Sequence, residues 1–142
     1  MYPITNDDVL SYTEIVENLE KPSSETDAII FQHLLYPNWF RSKSLSNTLV
    51  DSDKLINGKY ISSHTKVIPS LTKSFDKVFE TFSEKIMESK KFQVERLTKG
   101  HPLSNGTDEV RYMCTLHTTR GFGFNPACAV LSAVIQTYLQ KI

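Results

Sequence analysis

No stretch of this chain constrains its fold more than Glu109 to Ile142. Val110, Tyr112, Cys114 and Leu116 alternate with Arg111, Met113, Thr115 and His117, the two-residue period of a strand with one buried face. Thr118-Thr119-Arg120-Gly121-Phe122-Gly123-Phe124-Asn125-Pro126 then reads as a loop opening an apolar helix from Ala127 to Leu139. Asn125 suits the cap of that helix and Pro126 its first turn. A loop ending at a helix N-terminus gathers unpaired N–H groups and the positive end of the helix dipole, a setting that holds anions. It is also an ordinary way to join a strand to a helix.

Upstream, two helices are expected. Thr5 or Asn6 caps the first, with Val9, Leu10, Ile15, Val16 and Leu19 broadly on one side. Ser24-Glu25-Thr26-Asp27 resembles a capping box for the second, which carries Ala28, Ile29, Phe31, Leu34 and Leu35 and stops at Tyr36-Pro37. Leu55-Ile56-Asn57-Gly58-Lys59-Tyr60-Ile61 predicts a hairpin, because Asn-Gly supplies the positive-φ pair of a type I′ turn. Phe75, Phe79, Phe82 and Ile86 stack on one face of a third helix, widened by Val78 and capped by Thr72 or Ser70; this is the expected central packing helix. Phe92 to Leu97 and Glu109 to Thr118 form a second hairpin around Asn105-Gly106. The order helix, helix, hairpin, helix, hairpin, helix predicts an α+β fold, a small antiparallel sheet of two hairpins layered between helices.

Composition excludes several classes. Sixteen acidic and sixteen basic residues balance, without the basic excess of a dedicated nucleic-acid binder. Cys114 and Cys128 belong to no CxxC or Cys/His cluster, so no metal and no cofactor is expected, and both read as small buried hydrophobes. No apolar run is long enough to span a bilayer and Met1-Tyr2-Pro3 opens no signal peptide, so a soluble cytoplasmic protein is expected. Walker loops, dinucleotide fingerprints and nucleophile elbows are absent from the sequence.

Three segments carry a family resemblance. Asp27 to Trp39 is a helix ending near a tryptophan, and Pro69-Ser70-Leu71-Thr72 leads into Phe75 and Phe79. Asn125-Pro126-Ala127-Cys128-Ala129-Val130-Leu131-Ser132-Ala133 opens an alanine-rich helix. Together they resemble the phage ABA sandwich domain family, small proteins of bacteriophages and prophages without a settled activity. The resemblance covers about 27–139. It implies an α/β/α layered fold and a phage origin, with residues 1–25 as an N-terminal helical addition to a single domain over 26–142.

Two candidate sites follow. Arg120, Thr118, Thr119 and Asn125 would hold an anion, with Gly121 and Gly123 allowing close backbone approach. Trp39, Phe40, Arg41 and Lys43 combine an aromatic surface with cations, as base stacking with phosphate contacts requires. The bland alternatives are a solvated Arg120, an ordinary helix start at Asn125 and a tryptophan plugging the core edge. The expected function is non-enzymatic sequestration of a small anionic ligand, a nucleotide-type host immune signal in its most concrete form. A protein-interaction inhibitor of a host factor is the alternative. A hydrolase built on His101 or His117 is a third. A homo-oligomer through an edge strand or the N-terminal helices is compatible with this pattern.

Overall fold

A computed structural model of the chain describes residues 4–42, 45–51, 54–56, 59–61, 64–97 and 111–139. Helix α1 spans Asn6–Glu17 and begins with a complete capping box, the Asp8 amide donating to Thr5 Oγ1 at 3.1 Å and the Thr5 amide to Asp8 Oδ2 at 3.0 Å. It buries Val9 and Val16, whereas Leu10 and Ile15 face outward. Helix α2, Ser24–Leu35, is capped by Ser23 rather than by Ser24, its hydroxyl accepting from the Thr26 amide. Asp27, expected to close a box there, is instead buried and accepts the Thr72 amide at 2.7 Å, tying α2 to the turn before the next helix.

Five short strands follow: β1 Phe40–Arg41, β2 Thr48–Val50, β3 Lys54–Ile56, β4 Lys59–Ile61 and β5 Thr65–Val67. β3 and β4 pair with Ile56 opposite Lys59, as a two-residue connection requires; Asn57 and Gly58 themselves lie outside the described residues. The pairing of β2 with β5, Thr48 opposite Val67, continues in the same register. β1 adds to the far side of β2.

The expected third helix is two pieces, α3 Phe75–Thr81 and α4 Ser83–Met87, joined at Phe82 with φ −115° and ψ 29°. Ser74, not Thr72 or Ser70, caps it. Val78, Phe82 and Ile86 form its buried stripe, and Phe75 and Phe79 are only partly covered. Strands β6 Phe92–Leu97, β7 Arg111–Leu116 and β8 Thr119–Gly123 form an antiparallel sheet in that order. Helix α5, Pro126–Gln136, lies on it and is buried continuously from Ala127 to Ile135. The fold is mixed α+β with antiparallel pairing throughout the described strands; the first expected hairpin, β3–β4, is a two-stranded sheet, and the second, β6–β7, is extended by β8 into a three-stranded one. α5, rather than the phenylalanine helix, occupies the centre: β7, β8, α1 and α3 all pack against it.

Candidate functional site

The segment expected to be an anion-binding loop is a strand. Leu116 to Thr119 is a tight turn, with His117 in the left-handed region at φ 55°, and Thr119 to Gly123 returns along β7. The glycines serve packing. A Cβ on Gly121 would overlap the Ala133 amide nitrogen and the Ala129 carbonyl oxygen and reach the Ser132 carbonyl carbon at 2.9 Å. One on Gly123 would sit 2.7 Å from the Ala129 nitrogen. Both let α5 lie directly on the strand, so neither is open to a ligand.

This geometry separates the expected partners. Thr119 and Asn125 stand at opposite ends of β8, roughly 20 Å apart for an extended chain. Asn125 caps α5, accepting the Cys128 amide at 2.8 Å, and donates to the Thr72 carbonyl at 2.9 Å. Arg120 is beside the other end of that helix, its carbonyl accepting from Gln136 at 2.6 Å. The helix dipole there is negative and opposes an anion. Thr119 spends its hydroxyl on the Leu116 and Ala133 carbonyls. Thr118 and the Arg120 side chain are exposed, and Arg120 shares a sheet row with Thr115 and Gln93 on the face away from α5.

The second expected site is likewise committed to structure. Trp39 is half-buried against Tyr36, ring centroids 5.1 Å apart, and belongs to the core margin. Arg41 pairs with Glu25 at 3.0 Å. Phe40 and Arg41 are strand residues on the edge of the β1–β2–β5 sheet. Lys43 and His101 lie outside the described residues. His117 helps bind the turn to residues 89–91, its amide donating to the Lys91 carbonyl at 3.0 Å.

A concave site lies elsewhere among the described residues. A groove of about 400 Å³ opens between the end of α2, the α3–α4 junction and the turn after α5, lined by Leu35, Thr81, Ser83, Glu84, Lys85 and Tyr138, with Phe82 and Glu88 completing it. That volume is in the range of small-ligand sites. The Lys85 ammonium lies 4.5 Å from the Tyr138 ring centroid, a cation held over an aromatic face. Burial pushes the Tyr138 phenol above its ordinary value, so it presents a neutral ring. Thr81 and Ser83 bring hydroxyls, and Glu84 and Glu88 stand one helical turn apart on the rim. The sequence carried no sign of this site: Lys85 reads as a surface lysine, and Tyr138 reaches it only through the tertiary fold.

Other chemistry-bearing groups are inward. Cys114 and Cys128 are buried free thiols pushed up by desolvation to about 12. Tyr12 Oη lies 2.5 Å from His33 Nδ1, and His33 Nε2, 3.9 Å from Asp8 Oδ2, has no hydrogen-bond partner among the described residues. Burial first, then the Asp8 charge, raises the Tyr12 phenol, while the Thr5 hydrogen bonds hold Asp8 below its usual range. This trio joins α1 to α2 and is not part of the groove. Among the described residues no group of three or more His, Cys, Asp or Glu side chains is placed to hold a metal, and no helix is long and apolar enough to cross a membrane. No protein-family model, curated protein or solved structure matches the chain.

Proposed function

We propose that the protein binds and sequesters a small anionic ligand of nucleotide type in the groove between α2, α4 and Tyr138. The observation that carries this reading is the Lys85–Tyr138 pair, a cation and an aromatic face lining one concavity. Lys85 would take a phosphate, and the Tyr138 ring would stack on the base. The Thr81 and Ser83 hydroxyls would donate to anionic oxygens. Glu84 and Glu88 would accept from ribose hydroxyls or exocyclic amines, the role carboxylates play toward ribose in dinucleotide folds. Their charge limits the site to a ligand of low negative charge. In a phage-infected bacterial cytoplasm, sequestration of this kind would lower the free concentration of a host immune nucleotide.

Titration calorimetry with mononucleotides and cyclic nucleotides tests this. Loss of one charge-assisted contact costs about 1.5–3 kcal/mol, so Lys85→Ala should weaken binding about ten- to hundredfold. Arg120→Ala should leave affinity unchanged. The converse pattern would move the ligand to the face of the β6–β8 sheet away from α5, where Arg120 lies.

A second reading, inhibition of a host protein, draws support from a different surface. Phe40 and Val67 lie on the face of the β1–β2–β5 sheet opposite buried Leu49, at 53% and 75% exposure. An apolar strip of that kind suits a protein partner. It predicts a captured host protein that Val67→Lys releases, with no nucleotide affinity.

A further inference from the structure

The two edges of the β6–β8 sheet are treated differently. On β8 two of the outward groups are taken: the Phe122 amide donates to Glu17 Oε2 at 3.1 Å, and the Arg120 carbonyl accepts from Gln136 at 2.6 Å. On β6 the first hydrogen bond of the ladder fixes which groups face out. The His117 amide donates to the Lys91 carbonyl at 3.0 Å, and the register then runs without a bulge from Phe92–Leu116 to Leu97–Arg111. Gln93, Glu95 and Leu97 therefore spend their backbone groups on β7, and those of Phe92, Val94 and Arg96 point away from it. No described segment pairs with that edge. Among the described residues, the outward backbone groups of Phe92, Val94 and Arg96 have no strand partner, and an edge of this kind is a template for another strand. Beside it sits an aromatic cluster, with Phe92 6.5 Å from Phe75 and 6.3 Å from Phe79 between ring centroids.

We propose that β6 pairs antiparallel with β6 of a second copy of this chain, about a two-fold axis at Val94, making one continuous six-stranded sheet. The sequence Phe92-Gln93-Val94-Glu95-Arg96 is complementary to itself in this register. Val94 meets Val94 of the second copy, Gln93 faces Glu95, and Phe92 faces Arg96, so an amide meets a carboxylate and an aromatic ring meets a guanidinium. All of the outward residues on each strand then find backbone partners. Centring the axis on Glu95 opposes two carboxylates, and centring it on Arg96 opposes two guanidinium groups, both destabilising. Centring it on Gln93 leaves Arg96 without a strand partner. This inference is independent of the ligand in the groove.

Sedimentation equilibrium of the full chain, with Val94→Pro as the comparison, tests the pairing. The Val94 amide points away from β7, so proline removes the intermolecular donor while sparing the β6–β7 ladder. Wild type should sediment at twice the 16.2 kDa chain mass and Val94→Pro as a single chain. Hydrogen exchange of wild type supplies a second readout that needs no variant. The Phe92, Val94 and Arg96 amides should exchange as slowly as those of Gln93 and Glu95. A wild-type monomer, or a dimer whose Val94 amide exchanges freely, overturns the proposal.

Discussion

The backbone amide of Phe122 donates a 3.1 Å hydrogen bond to the carboxylate of Glu17, joining the last residue of α1 to the outer edge of β8. The same carboxylate accepts the Ser132 hydroxyl at 2.6 Å, and the Arg111 guanidinium donates to the Glu17 carbonyl. One residue thereby ties the N-terminal helix to a strand edge, to α5 and to β7. Glu17→Ala should take the acceptor from the Phe122 amide and the Ser132 hydroxyl and lower stability by about 1–3 kcal/mol for each donor left buried. Urea unfolding checks this; Glu17→Gln, which keeps an acceptor, should lose less.

Gly121→Ala should be worse than its one added methyl suggests. The new Cβ meets backbone of α5 rather than a movable side chain, so the helix must lift from the sheet. Overpacking of a rigid contact costs about 1–3 kcal/mol or more. A melting temperature unchanged from wild type would show that α5 does not lie on β8 this closely.

Asp27 gives a pH dependence of definite sign. Burial raises its carboxyl above the ordinary 3.8, against the opposing Thr72 hydrogen bonds. Between 3.8 and that raised value the folded chain holds a proton that the unfolded chain has released. Stability from this group is therefore full below 3.8 and falls as pH rises through the interval. Asp27→Asn keeps an acceptor for the Thr72 amide and should lack that decline, so the variant gains on wild type from about pH 4 upward. Asp27→Ala should instead lose about 1–3 kcal/mol at neutral pH, with the Thr72 amide left unpaired. A wild-type minus Asp27→Asn difference that is flat with pH would contradict this.

Cys114 and Cys128, both buried and pushed up to about 12, have almost no thiolate at neutral pH. A thiol reagent at pH 7 should modify neither in the folded protein and both in urea. Rapid labelling of folded protein would show that the α5–β7 contact opens.

The strands and helices that announce themselves locally are those the sequence made legible. Thr5 caps α1, Asn125 and Pro126 open α5, Asn57-Gly58 sits between paired β3 and β4, and Tyr112, Cys114 and Leu116 share a face. The misreadings have a common cause, which is that tertiary partners decide them. Gly121 and Gly123 look like loop residues because glycine weakens isolated strands; here they admit a helix backbone. Ser23 and Ser24 are equally good caps in isolation, and the Asp27–Thr72 bond, 45 residues apart in sequence, selects Ser23. Position along the chain brought Arg120 near Asn125, yet folding sets them at opposite ends of α5. The groove had no local signature, since Lys85 and Tyr138 are far apart in sequence.

Native mass spectrometry of protein freshly purified from cells with and without nucleotide-based immune signalling tests the ligand reading most directly. The account predicts a nucleotide-sized mass retained by wild type in signalling cells, lost on denaturation and absent from Lys85→Ala. A bare protein mass from every background, with wild type and Lys85→Ala indistinguishable, would contradict it.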